Sequence, residues 1–272
     1  MNILVLSSDF PFIKNNAEFN LLTSQLKALK INSKNIFILP TGKIKGKEYI
    51  LDYEHTLFDD FRDLDIILFF KIAYNFFKNF KLFIEEIKSI NFNNYSLTQY
   101  LRSLFSYLKS IYLLSFIELK SKKSKIDFSN LIIYTFWFND YTLGATLLKQ
   151  KNITIRVITG AHGFDLYPNR QEGNRIPFRK KAIELLDQII VDSCEGKEYL
   201  DKNFSTNKNK FALLNSGVKM KEFKVKPSED GIFRVTTLSR THPVKRLERL
   251  LILLKELEIY CKFTIHYFHI GY

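Results

Sequence analysis

The side chains of this chain best placed to do chemistry are the cations of LSRTHPVKRLERLLILLKELE, residues 238–258. Ser239 and Arg240 close a predicted strand, a turn containing Pro243 follows, and Lys245 and Arg246 open a predicted helix over 245–258. The helix macrodipole opposes positive charge at its N-terminus by roughly 0.3–1 kcal/mol. An anion held between these cations and the free N–H groups of the first turn would reverse that cost. Arg240 can make bidentate contacts to phosphate oxygens, and Lys245 supplies a point charge. The segment therefore reads as a phosphate site. The plainer alternative is a solvated basic face made of Lys245, Arg246 and Arg249.

A second group lies in GAHGFDLY, residues 160–167, just after a predicted strand at 154–159. His162 is either a hydrogen-bonded turn residue or a reacting group. Asp165 is a turn or cap aspartate, or the partner that orients the loop. Gly160 and Gly163 would let the backbone come close to a ligand. Glu18 falls in the first turn of a predicted helix over 16–30, where a carboxylate complements the dipole. Tyr134 and Phe136 read as packing residues, Trp137 as core or cleft wall, and Ser193 as the N-cap of a helix over 195–203. His242, His266 and His269 have no ligand spacing, and Cys194 and Cys261 stand far apart, so no metal site is expected.

The elements that must position these residues alternate. Strands are predicted at 2–7, 35–39, 131–136, 154–159, 188–192, 210–214, 233–238 and 262–269. Helices are predicted at 16–30, 66–89, 97–118, 140–150, 175–187, 195–203 and 245–258. That order argues for an α/β fold with parallel sheets. The basic run LKSKKSK at 119–125 reads as a solvated loop. The polar segment 215–231, with Gly217, Pro227 and Gly231, reads as a linker. The expected organisation is a doubly wound domain over 1–215, a linker over 216–231 and a second domain begun over 232–272. That second domain holds only strand–helix–strand, which leaves sheet faces and an edge uncovered. Either another chain covers it or the chain is C-terminally truncated.

The chain has 272 residues, 46% of them apolar, which is enough for a sizeable core. Its net charge of +13 suggests an anionic partner: nucleic acid, a membrane surface or a phosphorylated ligand. The charge is scattered and no nucleic-acid-binding signature appears, so nucleic acid is not the expected partner. The start, MNILVLSS, lacks the marks of a signal peptide and reads as a buried strand. With the cysteine pattern, this fits a cytoplasmic setting. The most apolar stretch, 64–84, is interrupted by Lys71, Lys78 and Lys81, so no span is predicted. At helical spacing Phe69, Ala73, Phe76, Phe80, Phe83 and Ile87 share one face, and Lys71, Asn75, Lys78, Glu85 and Ser89 the other. That helix either turns its apolar face to the core or lies on an anionic bilayer.

Seven segments in order carry a family resemblance: FPFIKNNAEF (10–19), IYTFWFNDYTLGATLLK (133–149), GAHGFDLY (160–167), IIVDSCEGKEYL (189–200), LLNSGV (213–218), LSRTHPVKR (238–246) and YFHIG (267–271). Together they resemble glycosyltransferase family 4, retaining enzymes of GT-B fold in bacterial surface-polysaccharide synthesis. The resemblance implies two doubly wound Rossmann-like domains, the second incomplete here. It implies that His162 faces the donor sugar near the reacting carbon, with Asp165 beside it as the other candidate catalytic residue. Arg240 and Lys245 would bind the donor diphosphate across the cleft between the domains, without an obligatory metal or other cofactor. Asn16 and Glu18 would belong to the first loop, on the acceptor side. In that loop Asn15 and Asn16 stand where the family has glycine, and asparagine tolerates left-handed backbone.

The implied partners are a nucleotide diphosphate sugar and a saccharide or lipid-linked acceptor. Synthesis of lipopolysaccharide, capsule or exopolysaccharide at the inner face of the cytoplasmic membrane is the implied setting, with peripheral contact to anionic lipid. The family's Glu-x7-Glu motif would lie beyond Tyr272, so the chain by itself is expected not to transfer sugar. Two alternatives stand beside this. A GT-B nucleotide-sugar epimerase is disfavoured by the HGxD and SRxxxxKR pair. A non-catalytic basic protein that binds membrane or nucleic acid is the other.

Overall fold

The computed structural model describes residues 1–12, 17–42, 56–57, 61, 65–90, 97–123, 126–204, 209–215, 217, 226, 228–262 and 264–271. Its contacts divide into two compact units, Met1–Gly217 and Val218–Tyr272.

The first unit is built on β1 (Asn2–Ser7), whose six residues NILVLS are all buried. A strand without hydrophobic alternation belongs in a parallel sheet covered on both faces. β1 pairs in parallel with β2 (Asn35–Pro40) on one side and β4 (Leu131–Thr135) on the other. The sheet runs outward through β3 (Thr56–Leu57), and in the other direction through β5 (Arg156–Ala161), β6 (Gln188–Val191) and β7 (Phe211–Leu213). The order is β3-β2-β1-β4-β5-β6-β7, with every pairing parallel. The winding reverses between β1 and β4, which opens a crevice at the carboxyl ends of those two strands.

Side chains along β1 alternate between two cores. Ile3 and Val5 pack with Phe19, Leu22 and Leu26 of α1 (Ala17–Lys30). Leu4 and Leu6 join the larger core, formed with α4 (Leu97–Lys123) and α5 (Asp140–Lys151). α4 and α5 touch at Gly144, where a Cβ would lie 2.5 Å from the Ser110 carbonyl oxygen.

Two predicted features of this unit differ in the structure. The helix over 66–89 is two helices, α2 (Ile66–Lys78) and α3 (Phe80–Lys88), separated at Asn79. Phe76 and Phe83 pack against the core as expected, but Phe69 is 64% exposed and Asn75, expected on the polar face, is fully buried. Asn75 turns inward because it finds polar partners there. Its amide donates to Ser115 and Glu118 at 2.9 Å each and accepts from Lys151 Nζ at 2.7 Å. The second difference is the basic run at 119–125. α4 continues to Lys123, with Lys120 and Ser121 buried and Lys120 Nζ 3.7 Å from Asp65. The helix persists because its inner face still has cover and its lysine an acidic neighbour.

α6 (Gly163–Leu166), α7 (Arg179–Leu185) and α8 (Cys194–Asn203) complete the unit. α7 is shorter than the predicted 175–187, since Pro177 biases the residue before it away from helix and Phe178 is left-handed at φ 56°. Ser193 caps α8 as expected, accepting from Gly196 N at 3.1 Å.

The second unit is β8 (Ile232–Leu238), α9 (Leu247–Cys261) and β9 (Thr264–Ile270), with β8 and β9 parallel. α9 begins later than predicted. Lys245 ends a 3-10 turn over Pro243–Lys245, and Arg246 is left-handed at φ 49°. The first turn of α9 therefore carries Glu248, a carboxylate of the favourable sign, and Lys245 stands outside the helix.

Candidate active site

The carboxyl ends of β1, β4, β5 and β6 deliver four short segments to the crevice. Glu18 of α1 is buried and accepts from the backbone of the segment after β1, from Ser8 N at 2.6 Å and Asp9 N at 3.2 Å. Burial pushes the Glu18 carboxyl above its ordinary range, against the pull of these hydrogen bonds. Its place is that of a clamp joining the start of α1 to the loop after β1.

Trp137 meets His162 edge-on, with ring centroids 5.0 Å apart, and Phe136 lies 4.8 Å from the same imidazole. His162 Nδ1 is 3.5 Å from Asp192 Oδ2. His162 Nε2 is buried and has no hydrogen-bond partner among the described residues. Such an atom costs about 1–3 kcal/mol. Gly160 is what permits this arrangement: a Cβ there would stand 2.7 Å from the Phe136 carbonyl oxygen and 3.6 Å from His162 Nε2. The glycine serves the approach of two strand ends and an imidazole, rather than the approach of backbone to a ligand.

Asp165 sits in α6, 7% exposed. Oδ1 accepts from His162 N at 2.6 Å and Oδ2 from Phe138 N at 2.8 Å. One carboxylate thus ties the loop after β5 to the loop after β4. Burial raises its pKa, opposed by these hydrogen bonds and by the charge of His162 and Arg179.

Arg179 completes the tie. Its guanidinium lies 3.5 Å from the centroid of the Phe138 ring, and Nη2 donates to the carbonyls of Phe138 at 3.0 Å and Asp165 at 2.5 Å. Nε and Nη1 are buried without partners among the described residues, while the rest of the side chain reaches solvent in part. Burial pulls the guanidinium down to about 10, so it stays charged at neutral pH. A cavity of about 320 Å³ adjoins this cluster, bounded by Lys109, Phe138, Asp140, Phe164 and Arg179. On its rim Lys109 Nζ lies 3.1 Å from Asp140, and Arg102 donates to the Glu172 carbonyl.

Of the residues singled out in the sequence, Glu18, Trp137, His162 and Asp165 converge here. Arg240 and Lys245 lie in the second unit, both exposed, Arg240 two residues past the end of β8. Asn15 and Asn16 fall outside the described residues. Sequence reasoning missed Asp192 and Arg179. Asp192 had a signal, as a carboxylate at the carboxyl end of a predicted strand. Arg179 had none, because its partners are 14 and 41 residues away along the chain. No group of three or more potential metal ligands occurs among the described residues. No helix among them is long and apolar enough to cross a membrane.

No family profile matches the chain, and no curated protein matches it in sequence. Solved structures do match. The lipopolysaccharide outer core galactosyltransferase WaaB, in its apo form, aligns at 11% identity and a TM-score of 0.54, covering 100% of this chain and 68% of that one. The fold is GT-B. A UDP-N-acetylglucosamine 2-epimerase from Rickettsia bellii also aligns, at 12% identity and a TM-score of 0.41, over 99% of this chain and 62% of its own. In the GT-B frame the crevice between β1 and β4 belongs to the N-terminal Rossmann-like half.

Proposed function

We propose that this chain is a glycosyltransferase of the family 4 type. The reaction of that type moves a sugar from a nucleotide diphosphate sugar to a saccharide or lipid-linked acceptor in the making of surface polysaccharide such as lipopolysaccharide, capsule or exopolysaccharide. The observation that carries this reading is the position of His162: at the carboxyl end of β5, packed on the loop after β4 that borders the switch point, and on a loop whose backbone Asp165 holds at 2.6 Å. Asp192 Oδ2 lies 3.5 Å from Nδ1 and can orient the ring through it. A turn of the ring that brings Nε2 to the crevice would exchange an unsatisfied buried nitrogen for a hydrogen bond with a donor hydroxyl.

In this reading Arg240 and Lys245 receive the leaving diphosphate. Charge that develops as the glycosidic bond breaks is stabilised most by groups already in place, and this raises the rate of the chemical step. The reading assigns that task to side chains, with no metal or other cofactor. Glu18, with Asn16 before it, shapes the first loop on the acceptor side. A lipid-linked acceptor places the work at the inner face of the cytoplasmic membrane.

Trp137 is the only tryptophan in the chain, and it packs on His162, so its fluorescence reports on the site. Titration with UDP-, GDP-, ADP- and dTDP-hexoses should give a saturable change with at least one of them, weakened tenfold or more by Lys245→Ala. No saturable change across the panel, or a Kd untouched by Lys245→Ala, would overturn the assignment.

A further inference from the structure

α2 carries its apolar surplus on the outside. Ile66, Ile67, Phe69, Phe70, Tyr74 and Phe77 are between 56% and 75% exposed. Ile66, Phe70, Tyr74 and Phe77 stand at i, i+4, i+8 and i+11, one stripe about 16 Å long along the helix. The inner face is spoken for: Leu68 and Asn75 are buried, and Ile72 and Phe76 pack on the core. Two-thirds of a typical surface helix is polar, and here the outward stripe is aliphatic and aromatic instead. A patch of this kind on a soluble domain marks something that covers it.

The charges around the stripe say what kind of surface that is. IILFFKIAYNFFK contains no acidic residue. Lys71 and Lys78 flank the stripe with their ammonium groups 5.6 and 5.7 Å from the Tyr74 ring centroid. Lys81 and Lys88 of α3 are exposed beyond them. Among the described residues, the acids that face this region are few and mostly engaged. Glu118 receives Lys71 and Lys151, and Glu86 is turned inward to Arg175. Asp65 stands at the N-cap near Lys120, and Glu85 lies 4.0 Å from Lys81. Aromatic rings between lysines suit a headgroup boundary, where the rings enter the acyl region and the ammonium groups stay with lipid phosphates. α2 has 13 residues, too few to span a bilayer but enough to lie in its surface.

We propose that α2 is a membrane-docking helix that inserts Ile66, Phe70, Tyr74 and Phe77 into an anionic bilayer, with Lys78 and Lys81 on the phosphate headgroups. This rests on the helix alone and not on sugar transfer, so either proposal can fail without the other. The test is flotation of the full chain with phosphatidylcholine vesicles containing 40% phosphatidylglycerol, and with vesicles of phosphatidylcholine alone. Binding should be at least tenfold stronger to the anionic vesicles and should weaken as salt rises. Phe70→Ser/Phe77→Ser should reduce it tenfold or more while leaving thermal unfolding unchanged, because both rings are exposed. Lys78→Glu/Lys81→Glu should remove the preference for anionic lipid. The proposal is overturned if the wild-type chain stays with the soluble fraction, or if Phe70→Ser/Phe77→Ser floats as well as wild type. It is equally overturned if the stripe instead joins two copies of the chain, seen as a dimer that Phe70→Ser/Phe77→Ser dissociates and that does not float.

Discussion

Two strand–loop–helix segments of this molecule look alike in sequence and behave differently in structure. The first runs from β5 through His162 into α6, the second from β8 through Arg240 and Lys245 to α9. Both leave the carboxyl end of a parallel strand, and both offer polar side chains in a short loop. In the first, polar groups are consumed by the fold: Asp165 accepts two backbone N–H groups from two loops, and Arg179 bridges two carbonyls. The second is held by fewer contacts, most of them exposed. His242 Nδ1 accepts from Val244 N at 3.3 Å, and His269 reaches Thr237 and Thr241 at 2.9 and 3.2 Å. The contrast separates two ways of building a site. A buried loop holds its geometry through satisfied polar groups and is costly to change, whereas an exposed cationic loop costs the fold little.

The strongest way to break the comparison is Asp165→Ala. It strands two backbone donors and removes the charge that most offsets the burial of the Arg179 guanidinium, so unfolding in urea should show a loss of about 2–6 kcal/mol. A loss under about 1 kcal/mol would mean that the first loop is no more committed than the second. Gly160→Ala should come next, at about 1–3 kcal/mol, because the added methyl meets a carbonyl oxygen that belongs to a strand end and cannot easily move.

Acidity sharpens the contrast further, since Glu18 and Asp230 titrate with opposite sign. Glu18 in the first unit is raised by burial above its ordinary value of 4.5, so its folded form holds the proton more tightly than its unfolded form. The stability it contributes is full below the unfolded pKa and is lost as pH rises through the folded one. Glu18→Gln should remove that loss, so urea midpoints followed upward from pH 4 should fall less for the variant than for wild type. Asp230 in the second unit is held low, by its hydrogen bonds from Arg234 above all, and its contribution disappears instead as pH falls. The smallest effect belongs to Lys245→Ala. This exposed side chain should change the unfolding free energy by less than about 0.5 kcal/mol. A larger change would place the second loop among the committed ones.

Much of the frame was legible before any coordinates. The alternation of apolar runs and helical patterns marks the parallel strands, because strands covered on both faces read as continuous apolar stretches. The Ser193 cap was readable for the same local reason. The Asn75 inversion was not. Helical spacing put it with Lys71 and Lys78, and only the arrival of Ser115, Glu118 and Lys151 from α4 and α5 turned that face inward. The lysine run after residue 118 failed in the same way, as charge suggested solvent while packing and Asp65 kept the helix going.

The site divides along the same line. The sequence by itself determined the order of elements, the α/β class, and which loops follow strands and so can reach a crevice: those of Glu18, Trp137, His162 and Asp165. Those facts depend on local periodicity and on residues near one another in the chain. Only the tertiary structure decided that Asp165 serves two loops, that Glu18 turns inward to hold the backbone after β1, that Arg179 belongs to the cluster, and that α2 faces outward with its aromatic rings. Each of these depends on which distant groups satisfy a buried polar atom or cover an apolar face, and a linear pattern does not encode who the partner will be.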